Sequence, residues 1–220
     1  MTYIKAEHIT KIIRHQKVLN DLSFTMESGN IYGLCGINGS GKTMLMRALL
    51  GLIHPTSGTI SIDGAVLGKD IEFPKSVGFL LENPAFLDRY SGFQNLMLLA
   101  RIREIASKET VTNWLEQVGL SDAGKKKYKK YSLGMKQRLG IAAALMEQPD
   151  IIILDEPTNA LDASGVALVM DLVKKEKERG ALVILSCHDA DFLKKTADEI
   201  LEMAAGEFTK ISPNSKEEPK

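Results

Sequence analysis

The stretch Gly36-Ile-Asn-Gly-Ser-Gly-Lys-Thr43 constrains this chain more than any other. It fits the phosphate-binding pattern Gly, four residues, Gly-Lys-Ser/Thr, with Gly36, Gly41, Lys42 and Thr43 at the fixed positions. Before it, Asn30-Ile-Tyr-Gly-Leu-Cys35 reads as a strand; after it, Met44–Leu50 reads as a helix stopped at Gly51. That strand–loop–helix setting is the context the motif requires. Glycines lack a Cβ, tolerate positive φ and let the backbone wrap a phosphate closely. The N–H groups of the loop, through Asn38, Gly39, Ser40 and on to Met44, then face the anion together with the positive end of the helix. Lys42 adds a charge at the β- and γ-phosphates, and the Thr43 hydroxyl can ligate Mg²⁺.

Around this loop the chain alternates between β and α texture. Tyr3–Ile13 and Val18–Met26 read as strands, with a turn near His15-Gln16, and Glu27-Ser-Gly-Asn30 reads as a hairpin turn. Thr59–Ile62 is expected to be a strand closed by the hairpin signal Asp63-Gly64, and Ser76–Leu81 another strand. From about Pro84 to Leu145 β signal is sparse, and Gly92–Glu104, Lys108–Val118 and Gly134–Met146 carry helical periodicity. Strand texture returns at Asp150–Leu154 and Ala181–Ser186, separated by the amphipathic helix Ala163–Arg179, which Gly180 ends. A short helix at Ala190–Thr196 and a hairpin, Glu199–Met203 with Glu207–Lys210, close the chain. The expected division is a phosphate-binding α/β core with a β subdomain at 1–83 and 147–211, a helical part at 84–146, and a flexible tail at 212–220.

Ile151-Ile-Ile-Leu-Asp155-Glu156 is an apolar strand that ends in two carboxylates. A buried strand carries such a pair cheaply only when the pair has a partner. Beside a phosphate loop, Asp155 is placed to hold Mg²⁺ and Glu156 to polarise an attacking water as general base. In Tyr131-Ser-Leu-Gly-Met-Lys-Gln-Arg138, Ser132 opens a helix. Exposed N–H groups there could bind an anion, but an ordinary N-cap is a sufficient reading on physics alone.

The order of these pieces carries a resemblance. A phosphate loop, then Ser-Leu-Gly-Met-Lys-Gln-Arg, then Asp-Glu-Pro-Thr-Asn-Ala-Leu-Asp162, then an apolar strand ending Ser186-Cys-His188 resembles the ATP-binding subunit of an ABC transporter over essentially the whole chain. The resemblance implies an α/β fold: a P-loop NTPase core with an N-terminal antiparallel β part and a helical insertion. It implies a head-to-tail dimer, of identical chains or paralogues, in which Ser132 and Gly134 touch ATP held by the opposite subunit. Asp162 closes the loop that crosses to the partner, and His188 holds the γ-phosphate and orients Glu156. The family signature is Leu-Ser-Gly-Gly-Gln, so Tyr131, Leu133 and Met135 depart from it. Where the family carries a Gln that reaches metal and water, this chain has Glu82, which is assigned to the catalytic and metal group. That substitution resembles the branch exporting drugs, bacitracin-like peptides and lantibiotics. Ile13 falls where the family has an adenine-stacking aromatic, with His15 nearby as a substitute. The implied ligands are ATP and Mg²⁺, and the implied partners are separate transmembrane permease subunits that dock near Glu82–Asn95.

Composition bears on the alternatives. Lys plus Arg and Asp plus Glu both total 28, so net charge gives no electrostatic argument for nucleic acid, and none is expected as a partner. Lys125-Lys-Lys-Tyr-Lys-Lys130 reads as a solvated surface in preference to a nucleic-acid or lipid patch. Cys35 and Cys187 lie in apolar runs and are expected to be free thiols. No stretch approaches the roughly 20 apolar residues that span a bilayer, and no secretory leader is visible. The expected location is cytoplasmic, peripheral on the inner face of the membrane through a permease. The alternative is a soluble ATP-driven switch acting on DNA or ribosomes. It is disfavoured by a single ATPase unit and by the absence of a heptad coiled coil between Lys42 and Ser132.

Overall fold

The computed structural model describes residues 2–213. β1 (Tyr3–Ile13) and β2 (Gln16–Glu27) form an antiparallel hairpin whose loop residues, Arg14 and His15, both have positive φ, at 47° and 67°. Two-residue loops of this hand match the twist of paired strands. β3 (Ile31–Cys35) leads through the phosphate loop into α1 (Lys42–Leu49). β4 (Ser57–Ile62) and β5 (Ala65–Val66) pair across Asp63-Gly64, and β6 (Val77–Leu80) follows. Helices α2 (Gly92–Arg103), α3 (Lys108–Gln117) and α4 (Leu133–Leu145) come next, with one 3-10 turn at Tyr128–Lys130. The chain ends with β7 (Ile151–Leu154), α5 (Ala163–Glu178), β8 (Leu182–Ser186), α6 (Ala190–Thr196), β9 (Glu199–Ala204) and β10 (Glu207–Pro213).

Among the described residues these strands make two sheets, one in the order β2-β1-β4-β5 and one in the order β10-β9-β3-β8-β7-β6. The second is parallel except for β10 at its edge. Every residue of β7 and β8 is buried, as a parallel sheet covered on both faces requires. Period-two alternation divides their side chains between two cores. Ile152, Leu154, Val183 and Leu185 join the helices α2–α6, while Ile151, Ile153, Leu182 and Ile184 join α1 and the antiparallel sheet. Cys35 and Cys187 are free.

Two expectations are corrected. Glu27–Asn30 turns the chain but closes no hairpin, because β2 belongs to the antiparallel sheet and β3 to the centre of the parallel one. Ser212 and Pro213, expected to begin a flexible tail, pair with Ile200 and Glu199 in β10. A proline is tolerated there because β10 is an edge strand. The rest of the expected tail, 214–220, lies outside the described residues.

Candidate functional site

The carboxyl ends of β3, β6, β7 and β8 surround a cleft of about 820 Å³. Open α/β sheets place ligand sites in this position. The phosphate loop forms its floor. At Gly36 any Cβ would sit 2.3 Å from the Met203 carbonyl oxygen, so only glycine fits. The hairpin turn between β9 and β10 supports the loop from behind, with the Gly206 N–H donating to the Ser40 carbonyl at 2.9 Å. The buried Ser40 hydroxyl has no hydrogen-bond partner among the described residues. Lys42 is 6% exposed and donates from Nζ to the carbonyls of Gly36 (2.7 Å) and Ile37 (3.2 Å). Its ammonium is thus held by neutral acceptors at the place where the loop and the first N–H groups of α1 face the cleft. Those N–H groups have no intrahelical partner.

The two carboxylates at the end of β7 have different surroundings. Asp155, 4% exposed, accepts from the Thr43 hydroxyl at 2.6 Å and from the Ser186 hydroxyl at 2.5 Å. Glu156 has φ 51°, its N–H donates to Ser186 Oγ at 2.9 Å, and its carboxylate turns toward His188. The His188 N–H donates to Oε2 at 3.2 Å, and the ring Nε2 lies 3.2 Å from Oε1 without the alignment of a hydrogen bond, which leaves that buried oxygen unsatisfied. Burial pushes the Glu156 carboxyl above its usual range, opposed by His188 and Lys42 and reinforced by Asp155. A carboxylate made more basic in this way suits proton abstraction near neutral pH.

Glu82, on the segment after β6, also lines the cleft. Its Oε1 accepts from Arg47 Nη2 at 2.6 Å. Arg47, in the last turn of α1, is given no site role by the sequence reading, and neither are Gln137 and Ser186. Gln137, from α4, donates its Nε2 hydrogen to the Glu156 carbonyl at 3.0 Å.

The residues with the right chemistry for Mg²⁺ are Thr43 and Asp155, with Glu82 at the rim. They fit: all donors are hard oxygens, and among the described residues the buried Asp155 carboxylate accepts its side-chain hydrogen bonds from two neutral hydroxyls. Among the described residues no group of three or more His, Cys, Asp or Glu could hold a metal alone. A site supplying so few protein oxygens suits Mg²⁺, which keeps water and substrate phosphates as ligands.

The remaining sequence-derived residues stand elsewhere. Ile13 ends β1, 37% exposed, and does not line the cleft; Gln16 and Val18, on the facing strand, do. Ser132 is the N-cap of α4, its hydroxyl accepting from the Met135 N–H at 3.2 Å, and Gly134 follows in the first turn against the Ala160 backbone. Asp162 caps α5. The Gly165 N–H, and then the Ser164 hydroxyl, hold its carboxyl below the usual range. None of these three lines the cleft of its own chain. Tyr131 departs from the resembled signature because it is a core residue, 6% exposed with its hydroxyl on the Ala123 carbonyl. Leu133 is the opposite, 70% exposed.

Comparison with known proteins bears on the family and the fold. The sequence profile described as ABC transporter matches residues 19–159. An uncharacterized ABC transporter ATP-binding protein, YybJ of Bacillus subtilis, is 50% identical over 92% of this chain and 93% of its own length. The bacitracin transport ATP-binding protein BcrA of Enterococcus faecalis is 40% identical, over 92% of this chain and 67% of its own. The lantibiotic transport ATP-binding protein SrtF of Streptococcus pyogenes is 33% identical, over 90% and 85%. Among solved structures, a dimeric post-hydrolysis state of the ATP-binding cassette MJ0796 bound to ADP and Pi superimposes with a TM-score of 0.87 at 22% identity, over 96% of this chain and 98% of that one.

Proposed function

This chain belongs to the ABC transporter family as an ATP-binding subunit and ATPase, and from that premise we propose that it powers export of a peptide or drug through separate transmembrane subunits. The observation that carries the proposal is the convergence in one cleft of the phosphate loop, the Thr43–Asp155 pair and a glutamate faced by His188. The bacitracin and lantibiotic transport relatives support peptide as the cargo class, and export as the direction rests on the resemblance of the sequence to the exporting branch.

In this reading ATP lies on the loop, with Lys42 leaving its carbonyl partners for the phosphates. Mg²⁺, held by Thr43 and Asp155 with Glu82 at the rim, would neutralise phosphate charge. Glu156 takes the proton of the attacking water, and His188 keeps that carboxylate aimed while facing the γ-phosphate. Ser132, Gly134 and Asp162 complete the second subunit's site across a head-to-tail dimer. Exposed apolar side chains support two contact faces. Ile37 on the phosphate loop and Leu133 at the signature are 78% and 70% exposed, on the surfaces that would meet in the dimer. Ile102, on α2, is 77% exposed, with Leu98 and Leu99 beside it at 38% and 37%. That stripe adjoins Glu82–Asn95, where permease helices would dock. Among the described residues no helix is long and apolar enough to cross a membrane. The proposed location is therefore the cytoplasmic face of the membrane, through the permease.

The test is Glu156→Gln. It should keep ATP binding, lose turnover by several orders of magnitude and accumulate an ATP-bound dimer; near-wild-type hydrolysis would remove the general-base assignment. Purification of the tagged protein from native membranes, with the co-purifying chains identified, tests the transport reading. A multi-span partner is expected, and ribosomal proteins or DNA in its place would overturn it.

A further inference from the structure

Glu156 adopts a left-handed backbone, φ 51°, which a side-chain-bearing residue holds only when its surroundings enforce it. Three contacts do so. Its N–H donates to Ser186 Oγ at 2.9 Å, and its carbonyl accepts from the Asn159 N–H at 3.1 Å and from Gln137 Nε2 at 3.0 Å. The first two come from segments adjoining the same strand ends. Gln137 does not: it belongs to α4, the helix that Ser132 caps, and the residue is 5% exposed. A buried amide so placed is strongly directional, because losing its acceptor would strand a donor away from water.

The geometry points to Gln137 as the positioning residue for Glu156, a cis link between the signature helix and the catalytic carboxylate of the same chain. The helix whose N-cap is proposed to meet the opposite subunit's nucleotide thus also fixes, five positions further on, the backbone from which its own base projects. A shift of α4 moves both ends together, so contact made at Ser132 is felt at Glu156. Gln137 lines the cleft, and the contact it makes there is with the Glu156 main chain, through which it aims the Glu156 side chain.

This inference rests on Glu156 being the general base. The test uses full-length protein with Gln137→Met, which keeps the volume and removes the donor, and Gln137→Glu, which keeps shape and polarity but cannot donate when ionised. Each is measured for melting temperature, for Kd of a fluorescent ATP analogue and for steady-state ATPase, alone and in the Glu156→Gln background. The expected result is a kcat lower by about 10- to 100-fold, the scale of a misplaced catalytic group. Kd and KM should stay within about twofold, since the phosphate loop is untouched, and the residual rate should not fall further in the Glu156→Gln background. An unchanged kcat, a loss confined to KM or Kd, or full additivity with Glu156→Gln overturns the inference. Should Gln137→Met fail to fold, Gln137→Glu alone decides by the same split. If Glu156→Gln itself turns over normally, the base assignment falls and this inference falls with it. If Glu156→Gln is inactive and both Gln137 variants turn over normally, only this inference falls.

Discussion

The contact between Arg47 and Glu82 offers a sharp test of the electrostatics around the cleft. The side chains meet at 2.6 Å but are 37% and 60% exposed. An ion pair this wet contributes about 0.2–1 kcal/mol to stability, so its loss should lower the melting temperature of a chain this size by no more than about 4 °C. The consequence for nucleotide is larger. Glu82 lines the cleft, and without Arg47 its uncompensated charge faces the polyphosphate. At effective dielectrics of 20 to 80, a like charge about 8 Å away costs about 0.5–2 kcal/mol, or roughly 2- to 30-fold in Kd. Arg47→Met should weaken binding of a fluorescent ATP analogue by that factor in dilute salt, and by less as salt is raised. With Mg²⁺ left out, so that Glu82 has no metal to hold, Glu82→Gln should bind the analogue at least as tightly as the wild type, and adding Arg47→Met to it should change little. Anisotropy titrations of the wild type, both single variants and the double variant close the cycle. An equal loss from Arg47→Met in both backgrounds would refute the idea that Arg47 acts by neutralising Glu82.

Three further outcomes follow from the same geometry. Lys42→Ala removes the ammonium now resting on the Gly36 and Ile37 carbonyls; ATP binding should vanish, and an unchanged Kd would defeat the assignment of the loop. Leu133→Lys places a charge on an apolar side chain that is 70% exposed; the ATP-bound dimer of Glu156→Gln should disappear from size-exclusion profiles while monomer Kd holds, and a persistent dimer would count against that contact face. Gly78→Ala would put a Cβ 1.8 Å from the Ala144 carbonyl oxygen at the end of α4; urea unfolding should show a loss of about 3 kcal/mol or more, whereas stability within about 0.5 kcal/mol of wild type would mean that α4 and β6 separate freely.

Much of this was legible in the sequence, for identifiable reasons. The phosphate loop announces itself because its constraints are local: fixed glycines between a strand and a helix. Helix starts were legible to within a residue or two because Ser91, Ser107 and Asp162 are N-caps, the first two completing capping boxes. What stayed hidden depends on tertiary pairing. The turn chemistry of Ser28-Gly29 says where the chain reverses, not which sheet receives the next strand, so Glu27–Asn30 reads as a hairpin that does not exist. Arg47 meets Glu82 across 35 positions, and Gln137 looks like any helix-forming amide until its acceptor is seen. Resemblance to the family puts Ile13 at the adenine position, but the hairpin turn at Arg14-His15 hands the rim to Gln16 and Val18 on the returning strand.

The two glutamates at the cleft share one structural origin. Leu80 and Leu154 are register partners on the neighbouring parallel strands β6 and β7. Two residues beyond each stands a glutamate with positive φ, Glu82 at 56° and Glu156 at 51°. Had both strands continued in extended geometry, side chains would have kept alternating between the two covered faces of the sheet, and each glutamate would have entered an apolar core. A left-handed residue at this point ends the alternation and directs the carboxylate past the strand end into the cleft. The cost is on the order of 1–3 kcal/mol at each position, and the holding contacts are matched to the demand. Glu156, half-buried, has its backbone fixed at both N–H and carbonyl. Glu82, exposed, has its carboxylate held by a single arginine that water can replace. The rigid glutamate suits a base whose aim must not vary, and the loosely held one suits a group that changes partner between Arg47 and the contents of the cleft.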